Sequence, residues 1–187
     1  MCVFLCSDAC ELTLDPNTAH THLALSEENR KATYVYESQS YPDHPDRFDC
    51  WSQVVSKESL TGRCYWETQW SGYNADISVC YKGVQRKGRS SDCRFGCNDQ
   101  SWGLDCFDDS FYVRHNNNHT RISARPDSSR TVGVFVDESS GSLSFYSVSD
   151  THKLTHLHTF NTTFTDTLHA GFTVYYSGSS VSLCHIK

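Results

Sequence analysis

Residues 62–72 read GRCYWETQWSG, two tryptophans four positions apart with a single glutamate between them. As a helix the stretch would set Trp66 and Trp70 on one stripe with Glu67 on its flank. As a strand it sets Trp66, Thr68 and Trp70 on one face and Tyr65, Glu67 and Gln69 on the other. Gly62 and Gly72 bracket the stretch, and its aromatic and β-branched residues suit a pleated surface, so the strand reading is preferred. Glu67 then points away from the tryptophans, as a structural or solvated residue and not a catalyst.

The same alternation recurs outward from this segment. In ADISVCYKG (75–83), Ile77, Val79 and Tyr81 share a face opposite Asp76, Ser78 and Cys80. In TVGVFVDESSGSLSFYSV (131–148), Val132, Val134 and Val136 run into the turn residues 137–141, and Leu143 and Phe145 return, which predicts a hairpin. Further strands are expected at 32–36, 48–55, 111–114, 154–160, 168–175 and 181–185. Residues 23–31 read weakly as a helix, with Ser26 before two glutamates as its cap. Short strands with turn-rich separators predict an antiparallel β-sandwich, and no repeat or linker divides the chain.

The 187 residues are 37% hydrophobic and 20% charged, enough apolar material for one domain with its own core. A formal net charge of -6, with basic pairs only at Arg30-Lys31 and Arg86-Lys87, gives no footprint for a phosphate backbone, so nucleic acid is not an expected partner. No apolar run approaches a membrane span or a signal-peptide core. The expected compartment is therefore cytoplasmic, and the ten cysteines are read as reduced thiols. The tripeptides Asn118-His119-Thr120 and Asn161-Thr162-Thr163 match the glycosylation acceptor pattern, which matters only on a secretory route.

Catalytic and metal-binding patterns are weak. Cys93-x3-Cys97 followed by His115-x3-His119 offers sulfur and imidazole ligands for zinc, but Asn116 to Asn118 between the histidines favours turns over a helical face. The Cys2, Cys6, Cys10 series has no histidine within it. No G-x-S-x-G or H-E-x-x-H motif is present, and the His20/His22 and His156/His158 pairs have no recognisable partner motif. Asp105, Asp108 and Asp109 could pair as general acids, but a solvated loop explains them better. Trp102, Phe107, Phe111, Tyr112, Tyr175 and Tyr176 are amphipathic aromatics of the sort that interfaces use, most of them expected in the core.

Four ordered motifs carry a resemblance: LTLDPNTAH (12–20), HPDRFD (44–49), GRCYWETQW (62–70) and VGVFVDESSGSLSFYSV (132–148). In this order and at these distances the chain resembles a PRY-SPRY domain, in the fish form found in tripartite-motif ubiquitin ligases, NACHT/leucine-rich-repeat receptors and stonefish-type toxins. The resemblance implies a bent, jelly-roll-like antiparallel β-sandwich with variable loops at one end. It places the domain at 10–187, a PRY part at about 10–60 packing on a SPRY part at about 61–187, and leaves residues 1–9 as a leader outside the fold. It implies a non-catalytic, monomeric protein-recognition module of an innate immune protein, without cofactor or metal and without membrane insertion. By motif position its protein-binding residues fall on Asp105, Phe107, Tyr175 and Tyr176, with Asp105 standing where a large aromatic is expected. The alternatives are a toxin-derived domain that helps a pore-forming protein dock on a cell surface, and a zinc-binding domain.

Overall fold

The computed structural model describes Leu5 and residues 7–186. Among these, thirteen strands run in chain order: β1 (Leu23–Ser26), β2 (Lys31–Tyr34), β3 (Gln53–Val55), β4 (Arg63–Ser71), β5 (Asn74–Tyr81), β6 (Ser101–Phe107), β7 (Phe111–His115), β8 (Asn118–Ile122), β9 (Thr131–Asp137), β10 (Ser142–Val148), β11 (Leu154–Asn161), β12 (Leu168–Thr173) and β13 (Ser180–Leu183). They form a seven-stranded sheet, β1-β2-β13-β4-β9-β10-β11, and a six-stranded sheet, β3-β12-β5-β6-β7-β8. Every strand pairing is antiparallel. The all-β sandwich expected from alternation is the fold observed.

The tryptophan stretch is the centre of the larger sheet. Trp66, Thr68 and Trp70 are buried in the core between the sheets, while the Tyr65 hydroxyl donates to Glu67 Oε1 at 2.8 Å on the opposite face. Gly133 lies opposite Glu67 on β9, and a Cβ there would stand 2.5 Å from the Tyr65 hydroxyl, so the glycine makes room for the ring. Truncating a buried tryptophan such as Trp70 to alanine should cost about 3–5 kcal/mol.

β5 departs from simple alternation, because all eight of its residues are buried. Its inner face (Ala75, Ile77, Val79, Tyr81) joins the main core. Its outer face is covered by the connection to β6, which folds back so that Phe95 packs with Phe48, Val55, Cys80 and Val84 in a second small core. Gln53 pins that connection, accepting from the Phe95 N–H at 3.0 Å and donating to the Cys93 carbonyl at 2.7 Å. A Cβ at Gly171 would meet the Phe95 ring at 2.8 Å, so this β12 position has to be bare.

Residues 10–60 do not form a separate layer. The β1–β2 hairpin extends the larger sheet through β13, and β3 forms the edge of the smaller one beside β12. Arg47, 5% exposed, holds the intervening loops: Nη1 donates to the Pro16 and Ala19 carbonyls at 2.9 and 2.7 Å, and Nε and Nη2 donate to that of Pro42. The LTLDPNTAH and HPDRFD motifs are thus two halves of one clamp.

Three expectations change. The helix at 23–31 is the β1–β2 hairpin, turned by Glu27, Glu28 and Asn29, all with positive φ (53, 56 and 61°). The cysteines are not all reduced: Cys10 is bonded to Cys64, tying the start of the domain to β4, while Cys50, Cys80, Cys93, Cys97, Cys106 and Cys184 are free. The chain is also fixed before residue 10, since the Tyr65 N–H donates to the Asp8 carbonyl at 2.8 Å and Asp8 pairs with Arg63 at 3.0 Å. Cys2 and Cys6 lie outside the described residues.

Candidate protein-recognition site

One end of the six-stranded sheet gathers aromatic side chains from separate turns. Tyr73 sits in the tight turn between β4 and β5, opposite Phe107 at the end of β6 and beside Tyr176 in the connection after β12. The ring centroids are 6.4 Å apart for Tyr73 and Phe107 and 4.9 Å for Tyr73 and Tyr176. Phe107 then meets Tyr112 of β7 at 5.8 Å, and Tyr112 stacks on His119 of β8 at 4.5 Å. The large hydrophobic side chains exposed among the described residues are Tyr36, Tyr73 (60%) and Tyr176 (50%), so two of the three touch each other here. Exposed rings that contact one another, with partly buried ones behind, form a continuous patch of the kind that marks a binding surface. Beside them lies a hollow of about 470 Å³ lined by Tyr73, Phe107, Asp108, Asp109, Ser110, Tyr112 and His119.

Beneath the patch is a buried ionic network on the outer face of the same sheet. Asp76 of β5 and Asp105 of β6 are directly opposite in register and both 2% exposed. Arg114 of β7 pairs with Asp105 through Nη2, and its Nη1 donates to Cys97 Sγ at 3.7 Å. His119 Nε2 lies 3.3 Å from the same Asp105 oxygen. On the other side the Tyr175 hydroxyl donates to Asp76 Oδ2 at 3.0 Å and accepts from Arg94 Nε at 3.3 Å. Burial, reinforced by the Asp105 charge, raises the Asp76 carboxyl well above the ordinary range, so Asp76 holds a proton in conditions where a surface aspartate would not. Asp105 is also raised by burial, with Arg114 opposing the shift, and it is the member of the pair that carries the charge. Burial raises the Tyr175 hydroxyl, and burial with the nearby Arg114 lowers His119, which therefore faces the hollow as a neutral ring at pH 7.

The sequence-derived candidates separate into two layers. Phe107 and Tyr176 lie in the surface patch. Asp105 and Tyr175 lie below it: the Asp105 side chain is 3% exposed, and Tyr175 is half-buried with its hydroxyl committed to Asp76 and Arg94. Asp105 and Phe107 are consecutive positions of one face of strand β6, not loop residues. Tyr73, Tyr112 and His119 join the site without having been singled out as its residues. Tyr73 had a readable signal, since a tyrosine in a two-residue turn after Gly72 has no core to enter.

The zinc candidates do not converge. Cys93 is buried and donates to the Lys87 carbonyl, Cys97 accepts from Arg114, His115 Nδ1 engages the Ser101 carbonyl at 2.7 Å, and His119 stacks on Tyr112. Among the described residues no group of three or more His, Cys, Asp or Glu is placed to hold a metal ion. Burial pushes the Cys80 thiol up to about 12 and also raises Cys106, so both are core-filling thiols and not nucleophiles. No helix of the described residues is long and apolar enough to cross a membrane.

The fold is a two-sheet antiparallel β-sandwich that presents an aromatic end surface over a buried ionic network. Comparison with known proteins places it: the SPRY-associated (PRY) domain model matches residues 12–60 and the SPRY domain model residues 63–185, and the chain belongs to the PRY-SPRY family. SPRY domains are protein-interaction modules. The chain is 42% identical over 166 residues to stonustoxin subunit beta of Synanceia horrida, covering 88% of this chain and 23% of that subunit. It is 36% identical over 166 residues to tripartite motif-containing protein 16 of Mus musculus, covering 88% of this chain and 29% of that protein. The crystal structure of the TRIM65 PSpry domain superposes with a TM-score of 0.85 at 29% identity, covering 98% of this chain and 94% of that one. The chain thus spans about a quarter of the toxin subunits it matches.

Proposed function

We propose that this chain is the partner-recognition domain of a cytoplasmic innate immune protein, binding a protein ligand as a monomeric module through Tyr73, Phe107, Tyr112 and Tyr176, without turnover. The observation that carries the reading is the contact between exposed Tyr73 and Tyr176 and their continuation into Phe107 and Tyr112. Aromatic side chains of this kind supply large contact area with few rotors to immobilise, and they dominate measured hot spots. The tripartite-motif relatives support the immune setting. Affinity capture from immune-cell lysate, comparing wild type with a folded Phe107→Ala/Tyr176→Ala double variant, tests it. A protein recovered by the wild type and lost by the variant supports the surface; identical recoveries refute it.

A second reading has its own support. The Cys10–Cys64 bond, the exposed sequon asparagines Asn118 and Asn161, and the likeness to stonustoxin subunits fit a domain of a secreted toxin that assists docking on a cell surface. Glycan at Asn118 or Asn161 in native material would favour this reading over the cytoplasmic one.

A further inference from the structure

The hollow beside the aromatic patch has walls of one chemical kind and a rim of another. Tyr73, Phe107 and Tyr112 supply consecutive rings set nearly at right angles, 86° between the first pair and 84° between the second. Perpendicular rings turn the walls of a box, and aromatic faces carry the negative lobe of the ring quadrupole. The charged side chains lining the space are Asp108 and Asp109. Asp108 is engaged by Arg130. Asp109 accepts the Ser110 hydroxyl on Oδ1 at 2.8 Å and forms no ion pair among the described residues. Arg121, opposite Tyr112 in register, and Arg125 line an adjoining depression that Asp109 shares, and neither forms an ion pair with Asp109. Arg114 of β7 is already paired with Asp105.

Resting on the recognition reading above, the geometry points to a specific ligand chemistry: the hollow takes an arginine side chain from an exposed basic segment of the partner protein. The guanidinium would stack on the Tyr112 or Phe107 ring and direct its fork at Asp109. Arginine is preferred to lysine because its planar, weakly hydrated cation both stacks and offers two parallel donors to one carboxylate. A volume of about 470 Å³ is ample for one long side chain and too small for a folded element. The net charge of -6 favours the approach of a basic segment from a distance.

The test uses the whole chain and defined probes. Amide and aromatic-proton chemical shifts are followed while an acetylated, amidated Ala-Arg-Ala-Ala peptide is added to about 10 mM, a range that detects millimolar binding. The same titration is run with its citrulline, lysine and glutamate counterparts, and with phosphatidylcholine vesicles. Citrulline keeps the shape and removes the charge. The expected result is saturable shifts at Tyr73, Phe107 and Tyr112 with arginine, roughly ten-fold weaker binding of citrulline, and no binding of glutamate. Asp109→Asn, a surface change that leaves the core untouched, should weaken the arginine peptide roughly five-fold. Equal binding of arginine and citrulline, unchanged affinity in Asp109→Asn, no shifts up to the top concentration, or shifts produced by the vesicles alone would each overturn the inference. The two proposals fail separately. Loss of the captured partner in the Phe107→Ala/Tyr176→Ala variant with no response to arginine removes the arginine reading alone. An arginine response with capture unchanged removes the patch as the partner surface.

Discussion

Replacing Arg114 by methionine isolates the energetics of the network under the patch. The change keeps most of the side-chain volume and removes the cation that faces Asp105, whose side chain is 3% exposed. The variant has two routes. Asp105 can stay ionised without its partner, and breaking a buried pair in this way costs about 3–5 kcal/mol. Alternatively it takes up a proton at pH 7, which for a carboxyl of ordinary pKa costs about 1.36 kcal/mol per unit over roughly three units, or about 4 kcal/mol. Both routes converge on a loss of about 3–4 kcal/mol. Asp76→Asn is the matched control: burial and the Asp105 charge raise the Asp76 carboxyl, so the amide, which imitates the protonated form without the cost of taking up a proton at pH 7, should be neutral or stabilising. Urea unfolding followed by tryptophan fluorescence at pH 7 reads both. The gap between Arg114→Met and wild type should also narrow as pH falls toward 4, because the penalty for an unpaired Asp105 develops only above the unfolded-state pKa. If Asp76→Asn destabilises as much as Arg114→Met at pH 7, Asp76 is ionised and the reasoning is wrong.

Other consequences are open to direct measurement. Burial lowers the pKa of His20 and His169, whose Nδ1 atoms are engaged by the His22 N–H and the Ser56 carbonyl, so their neutral forms stabilise the fold. That contribution is complete above about pH 6.5 and is lost as pH falls through the lower folded pKa, so the urea midpoint should drop between pH 7 and 5, less steeply in a His20→Gln variant; parallel slopes would refute this. Gly96 has φ +79° with the Arg114 side chain 2.8 Å from where a Cβ would be, so Gly96→Ala should destabilise by roughly 1–3 kcal/mol, measured by thermal unfolding. Thiol titration of denatured, unreduced protein should find no more than eight of the ten cysteines reactive, with Cys10 and Cys64 protected; ten would contradict the bond.

The sheets were legible where alternation ran uninterrupted. In β4, β9 and β10 one face meets the core and the other does not, so period two survives in the sequence. It was lost in other strands for identifiable reasons. LALSEENRK contains helix-forming glutamates and a plausible cap, and only its pairing with β13 decides for a hairpin. SWGLDCF does alternate, with Trp102, Leu104 and Cys106 inward, but Gly103 and Asp105 masked it. Gly103 is required because its Cβ would stand 2.8 Å from the Ser78 hydroxyl, and Asp105 is tolerated because Arg114 sits beside it. Neither compensation is visible in one strand read alone. Phe107 and Tyr176 could be placed by motif, whereas the neighbours that make them a patch, Tyr73 and Tyr112, come together only through the register of β5, β6 and β7.

The most direct test of the recognition surface is the affinity of the captured partner for single variants Tyr73→Ala, Phe107→Ala and Tyr176→Ala, with Tyr146→Ala on β10 of the other sheet as control. At least two of the three should lose about 1–3 kcal/mol of binding with unfolding midpoints unchanged, and the control should bind as wild type. Full affinity in all three, or an equal loss in Tyr146→Ala, would show that the partner is held elsewhere on the molecule.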